Sequence, residues 1–299
     1  MKLLLLGCNG QVGWELQRSL LPLGEVIPCV FDSSPGLRAD FTNPSGVTDL
    51  VARVRPDVIV NAAAHTAVDK AESEPELARL INATTVGAVA GQAQKQGALL
   101  VHYSTDYVFD GSGKLPRDEL APTGPLSVYG VTKLEGENLI RASECRHVIL
   151  RTSWVYAARG HNFIKTMLKL AGERETLSVI DDQIGAPTGA ELLADVTAHV
   201  IRTLSDGRGE EGTFHCVANG ETSWFGFARF VIEWARASGQ SIRVAPEGVQ
   251  PILTTQYPTP AARPLNSRLS ADKLARAFSL ELPHWQLGVE RMLREICSR

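Results

Sequence analysis

Short apolar runs alternate with amphipathic stretches through the first half of this 299-residue chain, and this rhythm constrains the fold more than any other feature. Runs of about five apolar residues suit buried strands, and helices between such strands cover both faces of a parallel sheet. The pattern therefore predicts a doubly wound α/β fold. Strands are predicted at 2–6, 25–31, 57–61, 98–103 and 147–151, and helices at 11–21, 45–53, 73–96 and 129–142.

The second half of the chain departs from this alternation. Helices are predicted near 162–171 and 190–204, a strand near 213–217, and a long irregular, proline-containing segment over 251–263. We interpret residues 1–155 as a Rossmann-type dinucleotide-binding domain, with the strand near 213–217 as a candidate for its completion. Residues 156–299 are then mainly a smaller C-terminal substrate-binding cap.

Composition and charge exclude several classes of protein. Hydrophobic residues at 44% and charged residues at 21% are typical of globular rather than disordered or fibrous proteins. A net charge of -3 without runs of like charge offers no surface for nucleic acid or an anionic membrane. The chain has no run of about 18 apolar residues that could span a bilayer. Its five scattered cysteines predict neither disulfides nor a zinc site, which fits a reducing cytoplasm.

Three glycines, Gly7, Gly10 and Gly13, lie between the first predicted strand and the first predicted helix. Backbone N–H groups at such a helix N-terminus can bind a pyrophosphate, and the missing side chains let it approach. The alternative is a tight turn without a ligand, but the position in the first βα unit favours a dinucleotide. Small residues at 62–64 follow another strand, at the edge where ligands lie in open α/β sheets, and leave room for a cofactor.

Acidic residues near the end of the second predicted strand bear on the choice of coenzyme. Asp32 lies about 20 residues beyond the glycine turn, where a carboxylate accepts hydrogen bonds from the adenosine ribose of NADH. Asp32 also begins a good turn sequence, so a solvated turn is the alternative. Because Arg38 lies nearby in the sequence, NADPH stays possible as the coenzyme. A second aspartate, Asp40, followed by Phe41, could lie against the adenine.

Tyr129 and Lys133 are spaced i, i+4 and project from one face of the helix predicted at 129–142. A free tyrosine, with a pKa of about 10, is a poor acid or base at neutral pH until a nearby ammonium stabilises its phenolate. Alone, the pair would be an ordinary solvent-facing helix pair. Thr105 follows the fourth predicted strand and brings a hydroxyl to the same sheet edge, where it could hydrogen-bond a substrate carbonyl. Together the three residues predict a catalytic site.

Six longer motifs extend over the chain: GQVGWEL at 10–16, VNAAAHTAVD at 60–69, STDYVFDG at 104–111, YGVTK at 129–133, RTSWVY at 151–156 and RPLNSRL at 263–269. In them the sequence resembles the extended short-chain dehydrogenase/reductase superfamily and, within it, the family of dTDP-4-dehydrorhamnose reductases. The resemblance spans essentially the whole chain. The last two motifs are more diagnostic than the first four, which belong to the superfamily at large.

The resemblance implies NAD(P)H-dependent reduction of dTDP-4-dehydro-L-rhamnose at C4, giving dTDP-L-rhamnose for cell-surface polysaccharide such as lipopolysaccharide O-antigen. Tyr129 would donate the proton, Lys133 would hold the cofactor ribose, and Thr105 would polarise the carbonyl. The implied cofactor contacts are Gly7, Gly10, Gln11, Val12, Gly13, Asp32, Asp40, Phe41, Ala63, Ala64, His65, Thr66, Tyr103, Tyr129 and Lys133.

The implied substrate contacts are Thr105, Asp106 and Trp154. To these we add Arg263, because a guanidinium suits a nucleotide diphosphate, with Arg268 as the alternative. A lone tryptophan or a surface arginine would otherwise be interpreted as ordinary packing or a solvated charge.

The resemblance also implies magnesium in some members, at positions that match Glu15, Glu191 and Glu295. Three carboxylates spread along a chain are ordinarily solvated, and hydride transfer needs no metal, so such an ion would be structural or at a subunit interface. We also expect a cytoplasmic homodimer with a nucleotide-sugar substrate and no nucleic-acid or membrane partner.

Two other functions stay open at this point. An epimerase or dehydratase of the same superfamily would retain NAD and need an additional acid or base beside the tyrosine, which Asp106 could provide. A regulatory subunit on the same fold would bind a nucleotide and a partner without turnover. The presence of Thr105, Tyr129 and Lys133 favours an enzyme.

Overall fold

The computed structural model describes residues 1–31 and 36–297. In these residues the strands are β1 (Lys2–Leu6), β2 (Glu25–Val30), β3 (Leu37–Arg38), β4 (Val58–Asn61), β5 (Leu99–Thr105), β6 (His147–Thr152), β7 (Val155–Tyr156), β8 (Leu177–Ile180), β9 (Ile184–Gly185), β10 (Thr188–Gly189), β11 (Gly212–His215), β12 (Thr222–Ser223) and β13 (Val249–Ile252). The helices are α1 (Gln11–Ser19), α2 (Pro44–Val54), α3 (Val68–Ser73), α4 (Pro75–Arg79), α5 (Thr85–Gln96), α6 (Val128–Ala142), α7 (Phe163–Glu173), α8 (Ala190–Ser205), α9 (Trp224–Ala237), α10 (Asp272–Phe278) and α11 (Trp285–Cys297).

One parallel sheet contains seven of the described strands, in the order β11-β6-β5-β4-β1-β2-β3. The chain begins in the middle of the sheet, winds outward to β3, and then crosses back to β4 on the other side of β1. Because the strands are parallel, their carboxyl ends share one edge, and the reversal between β1 and β4 opens a crevice there. The doubly wound α/β fold predicted from the sequence is confirmed.

The side chains of β1 alternate between two cores, one on each face of the sheet. Leu3 and Leu5 pack with residues of α1, α8 and α10, whereas Leu4 and Leu6 pack with residues of α2 and α5. All four leucines are completely buried. Helices on both faces explain why this strand is a continuous apolar run rather than an alternating one.

A further core, formed by the second half of the chain, holds the cap together. It contains Ile164 of α7, Phe227 and Val231 of α9, and Trp285 of α11. The parallel pair β8 and β13 lies beside these helices. Helix α8 instead packs against α1, in the core of the large sheet. The division into residues 1–155 and 156–299 stays a prediction, since α8 and β11 of the second half lie with the sheet.

Most predicted elements are present, with ends displaced by at most two residues. The single helix predicted over 73–96 is wrong. Pro75 lacks an N–H and restricts Glu74, so α3 ends at Ser73 and a new helix begins at Pro75. A π-helical turn, Leu80–Thr84, then separates α4 from α5.

The irregular segment predicted over 251–263 is partly wrong as well. Its first residues belong to β13 because they pair in parallel with β8, from Val249 opposite Leu177 to Ile252 opposite Ile180. The remainder contains only a short 3-10 turn, Thr254–Gln256. In the part of the chain that the structure describes, no helix combines the length and hydrophobicity needed to cross a membrane.

Candidate active site

A cavity of about 560 Å³ lies at the carboxyl edge of the sheet, lined by residues at the ends of β1, β4, β5 and β6 and by residues of the cap. Of the residues that the sequence singled out, it is lined by Gly10, Gln11, Val12, Ala64, Thr66, Tyr103, Thr105, Asp106, Tyr129, Lys133 and Trp154. The fold therefore brings the glycine turn, the residues after β4, the hydroxyl of β5 and the helix α6 pair to one place.

The glycine turn is built for close approach of backbone to backbone. Gly7 has a φ of 80°, and a Cβ there would lie 2.8 Å from the Ala63 nitrogen. A Cβ at Gly13 would lie 2.0 Å from the Gly7 carbonyl oxygen. Gly10 is the N-cap of α1, which has no side-chain cap among the described residues. The N–H groups of its first turn can therefore bind phosphate.

The residues predicted to contact the adenosine half of a cofactor do not share one environment in the structure. Asp32 lies outside the described residues. The Asp40 carboxylate accepts hydrogen bonds from Thr42 N at 3.0 Å and from Arg38 at 2.9 Å. The Thr42 hydrogen bonds, together with the charge of Arg38, hold the pKa of Asp40 below its ordinary value despite partial burial. Phe41 is 4% exposed and its side chain packs in the core with α2 and α5.

His65 and Ala63 border the site without lining the cavity itself. The His65 N–H donates to Asn82 Oδ1 at 2.8 Å, and its ring Nε2 lies 3.7 Å from Glu74. Ala63 packs against the turn at Gly7. Their contacts to a cofactor stay predictions.

Tyr129 is the second residue of α6, whose start is fixed by the Ser127 hydroxyl accepting from the Gly130 N–H at 3.3 Å. Its hydroxyl forms a hydrogen bond with Thr105, and its ring meets Tyr107 edge to face with centroids 5.5 Å apart. Burial raises the pKa of Tyr129 to about 12, against the opposing effect of the Thr105 hydrogen bond. The phenol therefore carries its proton at neutral pH, as a proton donor must. It becomes an effective acid only when a nearby positive charge stabilises the phenolate.

Lys133 lies one turn further along α6, with 2% of its surface exposed. Its Nζ donates to the Tyr103 carbonyl oxygen at 2.6 Å and faces Nε2 of His102 at 3.1 Å. Burial lowers the pKa of Lys133 to about 8, although the charge of Glu137 opposes this. The amine can therefore gain or lose a proton near neutral pH, which is unusual for a lysine.

Asp106 places a carboxyl beside the Thr105–Tyr129 pair. Its Oδ1 accepts from the Thr105 hydroxyl at 3.1 Å, and only 2% of the residue is exposed. Burial raises the pKa of Asp106 to about 6, although hydrogen bonds with Ser267 and Thr105 lower it. A group with such a pKa can exchange a proton at the working pH of most enzymes.

Two tryptophans form the wall of the cavity on the cap side. Trp154 adopts a left-handed backbone conformation with a φ of 49°, which is uncommon for a residue with a bulky side chain. Its indole stacks on that of Trp224, with centroids 3.7 Å apart. The Trp224 Nε1 donates to Gln183 Oε1 at 3.1 Å, which fixes the outer ring of the stack.

A second cavity, of about 360 Å³, continues into the cap and shares Tyr107 and Trp224 with the first. Two guanidinium groups, those of Arg174 and Arg263, line it. Arg263 donates to the Asp69 carboxylate at 2.7 Å, which ties the cap segment to α3. Arg268, the alternative considered from the sequence, is instead paired with Glu221 at 2.6 Å and lines neither cavity.

The three glutamates considered for magnesium border one small crevice next to Tyr156. Glu191 pairs with Arg291 at 3.3 Å, and burial raises the pKa of Glu191, with Glu15 and Glu295 adding to the effect. Over residues 1–31 and 36–297, however, no three or more His, Cys, Asp or Glu side chains are arranged to hold a metal ion. The side chains of the described part of one chain are therefore not arranged as a magnesium site.

Some residues at the site were not identified from the sequence. Tyr107 lies in the same motif as Thr105, so its position two residues beyond the hydroxyl could have drawn attention to it. From the sequence, His102 is predicted only as part of a strand. A histidine in an apolar strand of a buried sheet is an exception, because its ring nitrogens need hydrogen-bond partners. Trp224 gave no signal, because it reaches the cavity only through the packing of the cap.

Comparisons with known proteins identify the family of the whole chain. The family model described as RmlD substrate binding domain matches residues 1–298. The chain is 56% identical over 296 residues to the dTDP-4-dehydrorhamnose reductase of Salmonella typhimurium strain LT2, covering 99% of this chain and 98% of the relative. It is also 56% identical over 297 residues to the dTDP-4-dehydrorhamnose reductase of Escherichia coli strain K12, with the same coverage.

Two solved structures are similar over nearly the whole chain. A dTDP-4-dehydrorhamnose reductase from Clostridium acetobutylicum superposes with a TM-score of 0.89 at 38% identity, covering 99% of both chains. A dTDP-4-dehydrorhamnose reductase from Bacillus anthracis strain Ames, in complex with NADP, gives a TM-score of 0.88 at 37% identity, covering 98% of this chain and 99% of that one.

Proposed function

The chain belongs to the family that the RmlD substrate binding domain model describes, and we propose that it reduces the C4 keto group of dTDP-4-dehydro-L-rhamnose with NAD(P)H. The product is dTDP-L-rhamnose. The observation that carries the proposal is the convergence of Tyr129, Thr105 and Lys133 on the cavity bordered by the glycine turn. The identity of 56% to two reductases over 99% of the chain supports the choice of substrate.

The residues of the crevice fit a nicotinamide dinucleotide. The uncapped first turn of α1 beside Gly10 would hold the pyrophosphate, and the small residues Ala62 and Ala64 leave room along the end of β4. Lys133 would hold the ribose next to the nicotinamide. When bound, the cofactor supplies the hydride that C4 receives. The NADP complex of the Bacillus anthracis relative supports NADPH, and NADH is the alternative coenzyme.

Tyr129 acts as the acid. As C4 is reduced, negative charge develops on its oxygen, and the Tyr129 hydroxyl donates its proton there. Its high pKa in the absence of ligands keeps that proton in place until it is needed. Thr105, which lies beside Tyr129, turns its hydroxyl proton from Asp106 to the same oxygen and polarises the carbonyl. The ammonium of Lys133 then stabilises the phenolate that remains on Tyr129.

The substrate extends from the catalytic cavity into the cap. The sugar ring lies against Trp154, with Asp106 beside its hydroxyl groups. The second cavity accommodates the nucleotide, because it offers Arg263 and Arg174 for a diphosphate and Tyr107 for an aromatic or ribose contact. The continuity of the two cavities through Tyr107 and Trp224 gives the substrate one path.

A second candidate function, that of an epimerase or dehydratase, is favoured by one observation. The raised pKa of Asp106, next to Tyr129, gives the site the additional acid or base that such enzymes need. A non-catalytic regulatory subunit is the third candidate, and the intact catalytic residues speak against it. Product identification separates the first two functions, and turnover separates both from the third.

Two finer predictions accompany the proposed function. We expect a homodimer in the cytoplasm, which sedimentation of the purified chain tests for the oligomeric state. Magnesium stays a prediction from the resemblance at Glu15, Glu191 and Glu295, which do not form a metal site within one chain. No step of the reaction passes through a metal, and titration calorimetry with Mg²⁺ tests its binding.

The experiment that tests the proposal follows oxidation of NADPH and of NADH at the nicotinamide absorbance, with freshly generated dTDP-4-dehydro-L-rhamnose. NMR of the product establishes the configuration at C4. Formation of dTDP-L-rhamnose is the expected result. A product epimerised at C3 or C5, the carbons next to the keto group, without net oxidation of added cofactor would instead indicate an epimerase. Nucleotide binding without turnover would indicate the regulatory subunit.

A further inference from the structure

His102 lies in the middle of the sheet, directly behind the catalytic lysine. It is completely buried in β5, between Asn61 at the end of β4 and Lys133 on α6. Its Nδ1 lies 3.0 Å from Asn61 Nδ2, and its Nε2 lies 3.1 Å from Lys133 Nζ. Both ring nitrogens are therefore in hydrogen-bond contact, and neither faces solvent.

The orientation of the Asn61 amide decides which nitrogen carries the proton. The Ala63 N–H donates to Asn61 Oδ1 at 3.1 Å, so the amide NH₂ is turned toward His102 and donates to Nδ1. In a neutral imidazole one nitrogen accepts and the other carries the proton. With Nδ1 accepting, the proton of His102 is on Nε2, where it points at the Nζ of Lys133.

This arrangement has a consequence for Lys133. A neutral amine has a lone pair that accepts a hydrogen bond from His102 Nε2–H. One of its own protons is donated to the Tyr103 carbonyl oxygen, 2.6 Å away, and the other can be donated into the cavity. An ammonium has no lone pair, so it would meet the Nε2–H donor with another donor. The ammonium is satisfied only if His102 changes tautomer and Asn61 turns its oxygen inward, which leaves the Ala63 N–H without its acceptor.

We propose that His102 is a positioning residue that couples the protonation of Lys133 to the orientation of the Asn61 amide, and that this network destabilises the ammonium relative to the neutral amine before ligands bind. In the proposed reductase, on which the catalytic part of this inference rests, the ammonium of Lys133 stabilises the phenolate of Tyr129 when it forms. The buried network behind it then makes its proton easy to pass to that phenolate, and water in the cavity returns a proton to the amine before the next turnover.

Within residues 1–31 and 36–297, few charged or titratable groups surround the pair of His102 and Lys133. On α6 they are Tyr129 and Glu137, and the Glu137 carboxylate is already held by Arg151 of β6 at 2.8 and 2.7 Å. On β5 and the turn after it they are Tyr103 and Asp106. Helix α6 therefore places one negative charge, that of Glu137, near Lys133, and this charge favours the ammonium over the neutral amine. The His102–Asn61 pair, together with burial, acts in the other direction.

The first test is independent of activity. Long-range ¹H–¹⁵N spectra of the imidazoles in the unliganded protein report the tautomer of each histidine, and a His102→Gln variant assigns the signal among the seven histidines. At about pH 9, above the pKa of about 8 of Lys133, we expect His102 with its proton on Nε2. A proton on Nδ1 would overturn the inference.

An Asn61→Asp variant inverts the network at constant shape. A carboxylate still accepts the Ala63 N–H, but its second oxygen also accepts, so it requires the proton of His102 on Nδ1. Nε2 then accepts from Lys133, which stays an ammonium. We expect the tautomer to switch and the alkaline limb of the pH profile of kcat/KM to move up by about one pH unit or more. His102→Gln, whose amide oxygen accepts from the ammonium, should move the limb in the same direction.

Asn82→Asp is the matched control, because Asn82 is equally buried but holds the His65 backbone and Thr132 rather than His102. It should leave the tautomer of His102 unchanged. The coupling would be refuted if the tautomer of His102 stayed the same in Asn61→Asp. It would also be refuted if the alkaline limb of the pH profile moved equally in Asn82→Asp. If the tautomer of His102 switches in Asn61→Asp but the wild-type protein does not turn over the substrate, the proposed network is supported and the proposed function is refuted.

Discussion

Trp154 and Trp224 stack across the boundary between the sheet and the cap, with ring centroids 3.7 Å apart and planes inclined by 14°. Gly185 makes the stack possible, because a Cβ there would lie 2.8 Å from the Trp154 ring. The outer ring is fixed to Gln183, so Trp154 presents a rigid face to the cavity. A rigid wall orients a sugar ring better than a single mobile side chain.

Replacing Trp224 should therefore weaken substrate binding without touching the chemistry. For Trp224→Leu we expect KM for the nucleotide sugar to rise about 2- to 10-fold, the equivalent of one lost aromatic stack, while the Kd for NADPH stays the same. Steady-state kinetics and cofactor fluorescence measure the two. Trp234→Leu, in the same helix but away from both cavities, should leave KM unchanged. An equal rise in both variants would assign the effect to the stability of α9.

Tyr129→Phe removes the proposed acid while keeping the ring against Tyr107. We expect kcat to fall by about 10² to 10⁴, which is typical for loss of a general acid, with cofactor affinity retained. Single-turnover kinetics of nicotinamide oxidation measure the step. Tyr156→Phe also removes a buried hydroxyl, but outside the catalytic cavity, and should retain wild-type kcat. Near-normal turnover in Tyr129→Phe would remove this residue from its role.

Arg263→Met tests the diphosphate contact in the cap cavity. Losing a charge-assisted hydrogen bond of about 1.5–3 kcal/mol should raise KM for the nucleotide sugar at least about 10-fold, with a smaller change in kcat. Arg268→Met is the matched control, since Arg268 is occupied by Glu221. If the two variants have the same KM, Arg263 contributes only its ion pair with Asp69.

The buried pair of Glu137 and Arg151 predicts a pH-dependent contribution to stability. Burial would raise the pKa of Glu137, but the Arg151 hydrogen bonds and charge outweigh it and hold that pKa below its ordinary value. A lowered folded pKa gives stability that is present above the unfolded pKa, about 4.3, and is lost as the pH falls through the folded value. Glu137→Gln should lower the free energy of unfolding by about 3–5 kcal/mol at pH 7, because Arg151 loses its partner.

Urea unfolding of wild type and Glu137→Gln at neutral and acid pH measures this effect. The difference between the two proteins should shrink as the pH falls below about 4.3. Glu135→Gln, on the same helix, removes a half-exposed partner of Arg79 and should change stability by at most about 1 kcal/mol. A pH-independent difference for Glu137→Gln would exclude the linkage.

The sequence was sufficient for the architecture because its signals are local. The buried part of Lys2–Leu6 is a run of leucines, and Gly13 of the next turn is required by its contact with the nearby Gly7 carbonyl. The i, i+4 spacing of Tyr129 and Lys133 likewise fixes their common face whatever surrounds the helix. The break in the helix predicted over 73–96 has a local cause as well, because Pro75 interrupts the backbone hydrogen bonds although the amphipathic periodicity continues across it.

What the sequence by itself determined is therefore the doubly wound sheet, its glycine turn and the common face of Tyr129 and Lys133 on α6. Only the tertiary structure decided that Trp224 completes the wall behind Trp154, that Arg263 rather than Arg268 faces the cap cavity, and that His102 lies between Asn61 and Lys133. These contacts join residues 31 or more positions apart or depend on how the cap packs, and periodicity carries no information about them. Their geometry follows from side-chain packing and hydrogen-bond satisfaction in the folded chain.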